Sequence, residues 1–358
     1  MPIPVPLHEP HKIKTVRLIS FPSLEERKRH LASYHFNVFH LTPSQVNFDM
    51  VSYGTSAMTQ EQISGQLLGD EAYAGSRNFE NLSRAAGRVL GHTYVCPTHN
   101  LLGCHHLVLT TLLPVGSGVA SNARGLTDTL APRAVPVHDL RLQTQEVFTG
   151  NIDLDRLARH LSAEGVGLLY LQAFADGMHP ISLSNLREAR AASDRRGVRL
   201  VLDGSRVIEN AWYIQRHEPG YGDRSIADIV REIVKTAHVL AIDGSQDPKS
   251  TTGGLLSTDN PADHEAFMQA VVVYEGLHTY GGMSGRTMEV LARGIDEMCD
   301  EAEVQWVMRV TEQFTEGLRA RGIPLERGCD GAYLDAARFL PQVSRYPAHA
   351  LACALYQT

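Results

Sequence analysis

Apolar residues recur with helical spacing in several stretches of the chain, and these stretches alternate with short apolar runs that are typical of buried strands. The helical spacing covers residues 76–90, 103–113, 153–162, 183–196 and 224–236, and the strand-like runs cover 92–95, a run near 118, 167–172, 198–203 and 238–243. Such alternation predicts β-α-β units, in which a mostly parallel sheet is covered by helices on both faces. The pattern therefore predicts an α/β fold.

The ends of the chain differ from this regular middle part. Four prolines in the first 20 residues predict an extended arm that can lie on another subunit, and a long helical stretch over 283–320 leads out of the sheet. We therefore expect an N-terminal arm and small-domain segment at 1–45 and a large domain at 46–300. A reduced, truncated small-domain segment is expected at 301–358.

Composition excludes several classes of partner. With 33 basic against 40 acidic side chains, the net charge of -7 lacks the basic surplus that nucleic-acid binding needs. No run of 18 apolar residues and no apolar leader segment occur, which argues against a membrane span or secretion. The cysteines are odd in number and without CxxC spacing, so they predict reduced thiols and a cytoplasmic protein. They are Cys96, Cys104, Cys299, Cys329 and Cys353.

Chemistry is expected where the parallel strands end, because ligands bind at the carboxyl edge of such sheets. The segments that follow the predicted strands are PTHNLLG, SNARG, AFADGMH, DGSR and DGSQDPKSTTGG. They contain most of the polar candidates considered below.

These segments, together with GDEAYAGSR at 69–77 and LDGSRVIENAWYI at 202–214, carry a resemblance to a known family. The chain resembles the aromatic amino acid β-eliminating lyases, tryptophan indole-lyase and tyrosine phenol-lyase, from about residue 10 to its last residue. That family uses pyridoxal phosphate (PLP) on the fold-type I PLP-transferase scaffold. The resemblance therefore implies that scaffold, with a reduced small C-terminal domain.

The resemblance also shows which family residues are replaced. Gln246 stands at the Schiff-base lysine, and an amide nitrogen cannot form an imine with an aldehyde. Of the five lysines in the chain, only Lys249 lies near that position. The phosphate-binding stretch reads Asn100-Leu101-Leu102, and Asp243 replaces a phosphate-side serine.

Each lost charge-assisted bond is worth about 1.5–3 kcal/mol, and a carboxylate about 4 Å from a phosphate repels it by roughly 4 kcal/mol at an effective dielectric constant of 20. The expectation is therefore that no cofactor is bound. PLP held through Lys249 is the alternative.

Other family residues are retained, and the resemblance implies their roles. Asp203 corresponds to the partner of the pyridine nitrogen, and Arg206 follows it. Tyr73 and Arg77 correspond to residues that reach the neighbouring subunit's site, whereas Gly54 and Glu71 correspond to a site for a monovalent cation. The retained set predicts a homodimer or homotetramer.

Several residues have both a catalytic and a structural interpretation. Asp203 can be a general base, or it can cap the next helix and pair with Arg206. Tyr73 can donate a proton, and His105 with Asp243 can form an acid/base pair in the vacated pocket. The substrate-binding candidates are Tyr53, Thr55, Arg77, Asn100, Phe174, Arg206 and Gln246.

The cluster His92, Cys96, His99, Cys104, His105 and His106 raises the possibility of a metal or haem, although its spacing fits no tight zinc pattern.

Three functions stay open at this point. The first is a PLP-independent enzyme that uses acid/base chemistry, lyase-like or related, on an aromatic or amino-acid-derived small molecule in specialised metabolism. The second is a PLP-dependent β-eliminating lyase that uses Lys249. The third is a non-catalytic scaffold or regulatory subunit, which a pocket filled by Leu101, Leu102 and Phe174 would favour.

Overall fold

The computed structural model describes the chain except for residues 1–9, 13–17, 50–56, 73–74, 131–132, 134, 145 and 163–164 and the side chains of 127–129. It divides into two compact units, one formed by Met1–Tyr53 with Gln305–Thr358 and the other by Gly54–Val304. The division at residues 45 and 300 inferred from the sequence stays a prediction.

The larger unit is built on a seven-stranded sheet with strand order β1-β9-β8-β7-β4-β2-β3. Its strands are β1 (Tyr94–Thr98), β2 (Gly118–Ser121), β3 (Val137–Asp139), β4 (Val166–Gln172), β7 (Arg199–Asp203), β8 (Val239–Asp243) and β9 (Gly254–Thr258), with a separate hairpin of β5 (Phe174–Ala175) and β6 (His179–Pro180). The pairs between β3, β2, β4, β7 and β8 are parallel, whereas β9 runs antiparallel to both β8 and β1. The predicted α/β fold class, with its mostly parallel sheet, is confirmed.

Helices connect and cover these strands. In the larger unit they are α2 (Gln60–Leu68), α3 (Arg77–Val89), α4 (Leu101–Leu112), α5 (Gly125–Leu130), α6 (Leu154–Ser162), α7 (Leu183–Asp194), α8 (Val207–His217), α9 (Ile226–Lys235), α10 (Pro261–Tyr274) and α11 (Gly285–Glu297). The smaller unit has α1 (Leu24–Ser33), a short 3₁₀ helix at Val38–His40, most of α12 (Glu301–Arg319), the hairpin β10 (Leu325–Arg327) and β11 (Ala332–Leu334), α13 (Ala336–Phe339) and α14 (Pro347–Gln357). None of the helices in the described part of the chain is long and apolar enough to span a membrane.

Local sequence explains where these helices begin. Ser182, Ser225 and Ser284 each accept a hydrogen bond from a backbone N–H in the first turn of α7, α9 and α11. Such side chains satisfy donors that a helix start leaves unpaired, which stabilises the helix by about 1 kcal/mol each. The central strands β4, β7 and β8 are apolar because helices cover the sheet.

The long helix predicted over 283–320 is interrupted, because α11 ends at Glu297 and α12 begins at Glu301. The carboxylate of Asp300 accepts a hydrogen bond from the backbone N–H of Glu303 at 3.0 Å. An aspartate that competes in this way for first-turn donors starts a new helix instead of continuing the old one.

The loop between β8 and β9 packs closely against α11. A Cβ atom added at Gly294 would lie 1.8 Å from the backbone oxygen of Pro248 and 2.6 Å from Nε2 of Gln62. The same Gln62 Nε2 donates to the Pro248 oxygen at 2.8 Å. Glycine at position 294 therefore permits the contact between helix and loop.

We expect Gly294→Ala to lower the free energy of unfolding by about 1–3 kcal/mol, because the added methyl group overlaps backbone atoms of the loop. Gly317→Ala is the control, since a Cβ there would meet only Arg321 Nη1, at 3.6 Å. That helical substitution should stabilise the protein by about 0.5–1 kcal/mol. Urea denaturation measures both changes, and equal effects of the two substitutions would contradict the proposed packing.

Candidate active site

The polar candidates meet where β4, β7 and β8 end. Gln172 pairs in register with Asp203 at the ends of β4 and β7, and Asp243 pairs with Gly254 where β8 ends and β9 begins. Thr98 at the end of β1 also pairs with Gly254, so the start of α4 lies at the same edge. The polar candidates therefore lie at the carboxyl edge of the sheet, where ligand binding was expected.

Ser205 links the ends of two strands. Its hydroxyl donates to Oδ1 of Asp203 at 2.6 Å and accepts a hydrogen bond from the backbone N–H of Asp243 at 2.9 Å. The backbone N–H of Ser205 also donates to Oδ1 of Asp203, at 3.0 Å. Ser205 thus orients the Asp203 carboxylate with two hydrogen bonds and joins it to the neighbouring strand.

The second oxygen of Asp203 has a different partner. Nε2 of Gln172 donates to Oδ2 of Asp203 at 3.2 Å, and Oε1 of Gln172 accepts from the backbone N–H of Asp176 at 2.9 Å. Burial raises the pKa of Asp203, whereas the charge of His105 and the hydrogen bonds from Ser205 act in the opposite direction. Donors placed on both oxygens help to keep this buried group ionised.

His105 is buried in α4 and contacts Tyr170 on β4. Its Nε2 lies 2.5 Å from the Tyr170 hydroxyl oxygen, and its Nδ1 is buried without a hydrogen-bond partner among the described residues. Burial lowers the pKa of His105, and the negative charge of Asp203 opposes that shift. Burial raises the pKa of Tyr170. His105 and Asp203 thus lie close enough for each to affect the ionisation of the other.

Asp243 has local partners. Its Oδ1 accepts hydrogen bonds from the Ser245 hydroxyl at 2.7 Å and the Ser245 backbone N–H at 2.9 Å. The predicted pairing of Asp243 with His105 is not formed. Asp243 instead accepts from Ser245, and His105 bonds to Tyr170. Both residues remain at the same edge of the sheet.

Gln246 is completely buried in the β8–β9 loop. In the described part of the structure, neither Oε1 nor Nε2 of its carboxamide has a hydrogen-bond partner. A buried amide without partners is costly and usually indicates a ligand or water that completes it. The role of Gln246 as a substrate-binding residue stays a prediction.

Lys249 lies on the same loop and forms an ion pair with Glu303. Its backbone has φ of 54°, a left-handed conformation that a side-chain-bearing residue rarely adopts. Burial lowers the pKa of Lys249, whereas Asp247, Glu209, Glu297 and Asp300 raise it. The Lys249 amine is therefore surrounded by acidic side chains, which favour its charged form.

The start of α4 does not fill the site with leucine. Asn100 is the N-cap of this helix, and its Oδ1 accepts from the backbone N–H of Gly103 at 3.0 Å. Leu102 is 61% exposed, and Leu101 is partly buried against the hydrophobic core. Phe174 is buried, with its ring 5.4 Å from that of Tyr213. The filled pocket that would favour a scaffold is not formed by Leu102.

The remaining candidates do not join this group. Arg206 forms an ion pair with Glu209 at 3.2 Å, and its pairing with Asp203 stays a prediction. Glu71 is exposed and pairs with Arg286, and Arg77 is exposed at the start of α3. The described residues do not include Tyr53, Gly54, Thr55 or Tyr73. The predicted cation site at Gly54 and Glu71 stays a prediction.

The histidine and cysteine cluster does not form a metal site within the described ranges, where no three suitable side chains converge. His92 bonds to the Ser257 hydroxyl at 3.0 Å, and His99 pairs with Glu275. Cys104 contacts the Thr98 hydroxyl at 3.1 Å. These residues have separate structural partners.

Sequence reasoning missed Gln172, Ser205 and Tyr170, which surround Asp203 and His105. Gln172 is the last residue of β4, and Ser205 follows the end of β7 by two residues. Position at a strand end was therefore a usable signal for these two. Tyr170 lies within an apolar strand and has no such signal in the sequence.

A mostly parallel sheet with one reversed strand, and a buried carboxylate where its central strand β7 ends, define a protein of the PLP-transferase fold class. The family model described as beta-eliminating lyase matches residues 47–355. The chain therefore belongs to the beta-eliminating lyase family.

Curated relatives agree with this membership. The chain is 34% identical to a tyrosine phenol-lyase of Nostoc punctiforme, across 97% of this chain and 78% of the relative. It is 34% identical to a tryptophanase of Salinibacter ruber, across 98% and 78%. A tryptophanase of Hyphomonas neptunium is 33% identical, across 98% and 81%.

These comparisons overturn the expectation that no cofactor is bound. Tryptophanases and tyrosine phenol-lyases depend on PLP, so the relatives point to PLP. The expectation was wrong because it summed losses at single positions, such as Gln246 and Asp243, and gave too little weight to the retained frame. That frame includes the buried Asp203 carboxylate with donors on both of its oxygens.

The described residues fit PLP best at its pyridine end, where Asp203 can hold the ring nitrogen. At the aldehyde end the Gln246 carboxamide has no partner among the described residues and could hydrogen-bond to a ligand. Lys249 is the residue of this loop that has an amine. At the phosphate end the Asp243 carboxylate is already bonded to Ser245. The fit is therefore carried by Asp203 and the β8–β9 loop.

We expect Ser205→Ala to raise the pKa of Asp203, because the substitution removes the hydroxyl that donates to Oδ1 and favours the ionised form. Carbon-detected NMR titration of the aspartate carboxyl groups measures this change. Ser245→Ala is the matched control, since Ser245 makes the same pair of bonds to Asp243. An unchanged Asp203 titration in Ser205→Ala would contradict the role given to Ser205.

Proposed function

We propose that the chain is a PLP-dependent β-eliminating lyase that acts on an aromatic amino acid or a related small molecule. The observation that carries this proposal is the buried Asp203 carboxylate, held by Ser205 and Gln172 at the carboxyl end of the central strand β7. Family membership supports the same reaction class. That the reaction belongs to specialised metabolism and takes place in the cytoplasm stays a prediction.

When bound, PLP supplies an electron sink for negative charge at the substrate's α-carbon. Asp203, whose ionised form is favoured by the hydrogen bonds from Ser205, would keep a proton on the pyridine nitrogen and so strengthen that sink. Gln246 offers the two N–H donors and the acceptor oxygen of its carboxamide beside the reacting end of the site. Tyr73 is proposed as the proton donor to the leaving group.

Lys249 is proposed as the amine that holds PLP covalently. Of the other four lysines, Lys12, Lys14 and Lys28 lie in the N-terminal region. Lys235 ends α9 just before β8 begins, and therefore lies at the opposite edge of the sheet from the strand ends. Since the Lys249 amine pairs with Glu303, a covalent link requires the loop to release this ion pair. Burial already lowers the pKa of Lys249, which favours the neutral, nucleophilic amine.

The first test is to incubate the purified protein with PLP, reduce it with borohydride and map the modified lysine by mass spectrometry. We expect a pyridoxyl group on Lys249, loss of that adduct in Lys249→Arg and no loss in Lys235→Arg, since Lys235 is exposed on α9. Release of phenol from tyrosine or indole from tryptophan then reports the reaction. Absence of both adduct and turnover would reject the proposal and favour a non-catalytic scaffold.

The protein is also proposed to be a homodimer or a dimer of dimers. The family residues that correspond to Gly54, Glu71, Tyr73 and Arg77 work across a subunit boundary, and α2 lies between them in the sequence. Leu67 and Leu68 on α2 are 82% and 73% exposed, as expected of side chains that a second copy covers.

Leu67→Asp combined with Leu68→Asp should therefore weaken association, because two charged groups would be buried in an apolar contact. Light scattering at micromolar concentration measures the mass. Val115→Asp is the control, because Val115 is a fully exposed apolar residue in the turn before β2. A monomeric wild-type protein, or an unchanged mass in the double variant, would contradict this interface.

A further inference from the structure

Two buried carboxyl groups contact each other beside the β8–β9 loop. Asp247, on the loop, and Glu209, in the first turn of α8, are each 7% exposed, and their side chains lie within hydrogen-bonding contact. Oδ2 of Asp247 accepts from the backbone N–H of Ile208 at 2.8 Å. Oε1 of Glu209 accepts from Nη1 of Arg206 at 3.2 Å. One oxygen of each group is thus paired.

The other oxygen of Glu209 has no such donor. Oε2 of Glu209 is buried and lacks a hydrogen-bond partner in the described part of the chain. Two ionised carboxylates in contact repel each other, and burial strengthens that repulsion. One proton between them removes one negative charge and supplies the missing hydrogen bond. We propose that Asp247 and Glu209 share one proton at neutral pH and that this proton fastens the β8–β9 loop to the start of α8.

The charged groups around the pair support this assignment. Burial and the neighbouring Glu209 raise the pKa of Asp247 well above its usual range, against the opposing effects of Arg206 and the Ile208 N–H. The Lys249 amine and the Cys299 thiol also lie near the pair, and Lys249 interacts with Asp247, Glu209, Glu303, Glu297 and Asp300. The two cations Arg206 and Lys249 thus have more carboxyl groups around them than their charges can balance.

The shared proton has a consequence for the site. The loop that Asp247 fastens carries Gln246 and Lys249, and α8 follows directly from Asp203 and Ser205. In the detached loop Asp247 regains an ordinary pKa, and the shared proton is lost at neutral pH. Detachment then releases one proton, so its equilibrium constant rises about tenfold per pH unit. The pair positions the loop and makes its release dependent on pH.

Infrared spectroscopy of the unliganded protein tests the shared proton. At neutral pH the wild type should show the C=O stretch of a protonated carboxyl group, and Glu209→Gln and Asp247→Asn should each lose it. Glu289→Gln is the matched control, because Glu289 is also buried but has donors on both oxygens, Arg293 Nε at 3.1 Å and Asn81 Nδ2 at 2.8 Å. A wild type without this band, or a band that survives both substitutions, would overturn the proposal.

Hydrogen exchange tests the consequence for the loop. The Ile208 amide, which donates to Asp247, and the Ser250 amide, which donates to Gly244 at 2.8 Å, report detachment. After correction for intrinsic exchange, their opening constants should rise about tenfold per pH unit in the wild type. Glu209→Gln should flatten this pH dependence and keep the protection, since the side-chain carboxamide of the glutamine donates to Asp247 at every pH. Glu209→Ala should lose protection at all pH values. Equal slopes in the wild type and Glu209→Gln would overturn the proposal.

Both measurements use the protein without PLP, so their outcome is separate from that of the proposed function. A failure to trap a pyridoxyl group on Lys249 would leave the shared proton and its pH dependence unchanged.

Discussion

The structure depends on burying carboxylates where the strands of a parallel sheet end. A carboxylate removed from water is unfavourable unless donors surround it, and Asp203 meets this requirement through Ser205 on one oxygen and Gln172 on the other. The same Ser205 hydroxyl accepts a hydrogen bond from the backbone N–H of Asp243. Three neighbouring strands are therefore joined at the point where a ligand would bind, and the donors that stabilise the carboxylate also fix its direction.

The fold could be predicted from sequence to the extent that it follows local periodicity. The strands that end at Gln172, Asp203 and Asp243 are apolar runs bounded by polar residues, which is why their ends were placed correctly. The break between α11 and α12 was missed because it depends on one side chain, Asp300, that caps the new helix. Strand β9 was not predicted, and nothing in its GLLST sequence indicates that it runs antiparallel to β8.

The candidate site was predictable position by position but not as a set of contacts. Family resemblance located Gln246 and Lys249, yet the ion pair of Lys249 with Glu303 joins distant parts of the chain and leaves no local pattern. The ion pair of Arg206 with Glu209, one helical turn ahead, was likewise not predicted. Such contacts depend on side-chain directions that are fixed only once the helices pack.

The retained and the replaced family residues differ in what the fold requires of them. Asp203 and Ser205 sit in the hydrogen bonds that join β7 to β8, so changing them would disturb the sheet itself. Gln246 and Lys249 lie on a loop whose backbone is held by Pro248 against Gln62 and by Asp247 against α8. That loop can accept different side chains without loss of its anchoring. The protein therefore keeps a frame that fits the pyridine end of PLP, while the acidic groups around Lys249 determine whether its amine is free to react.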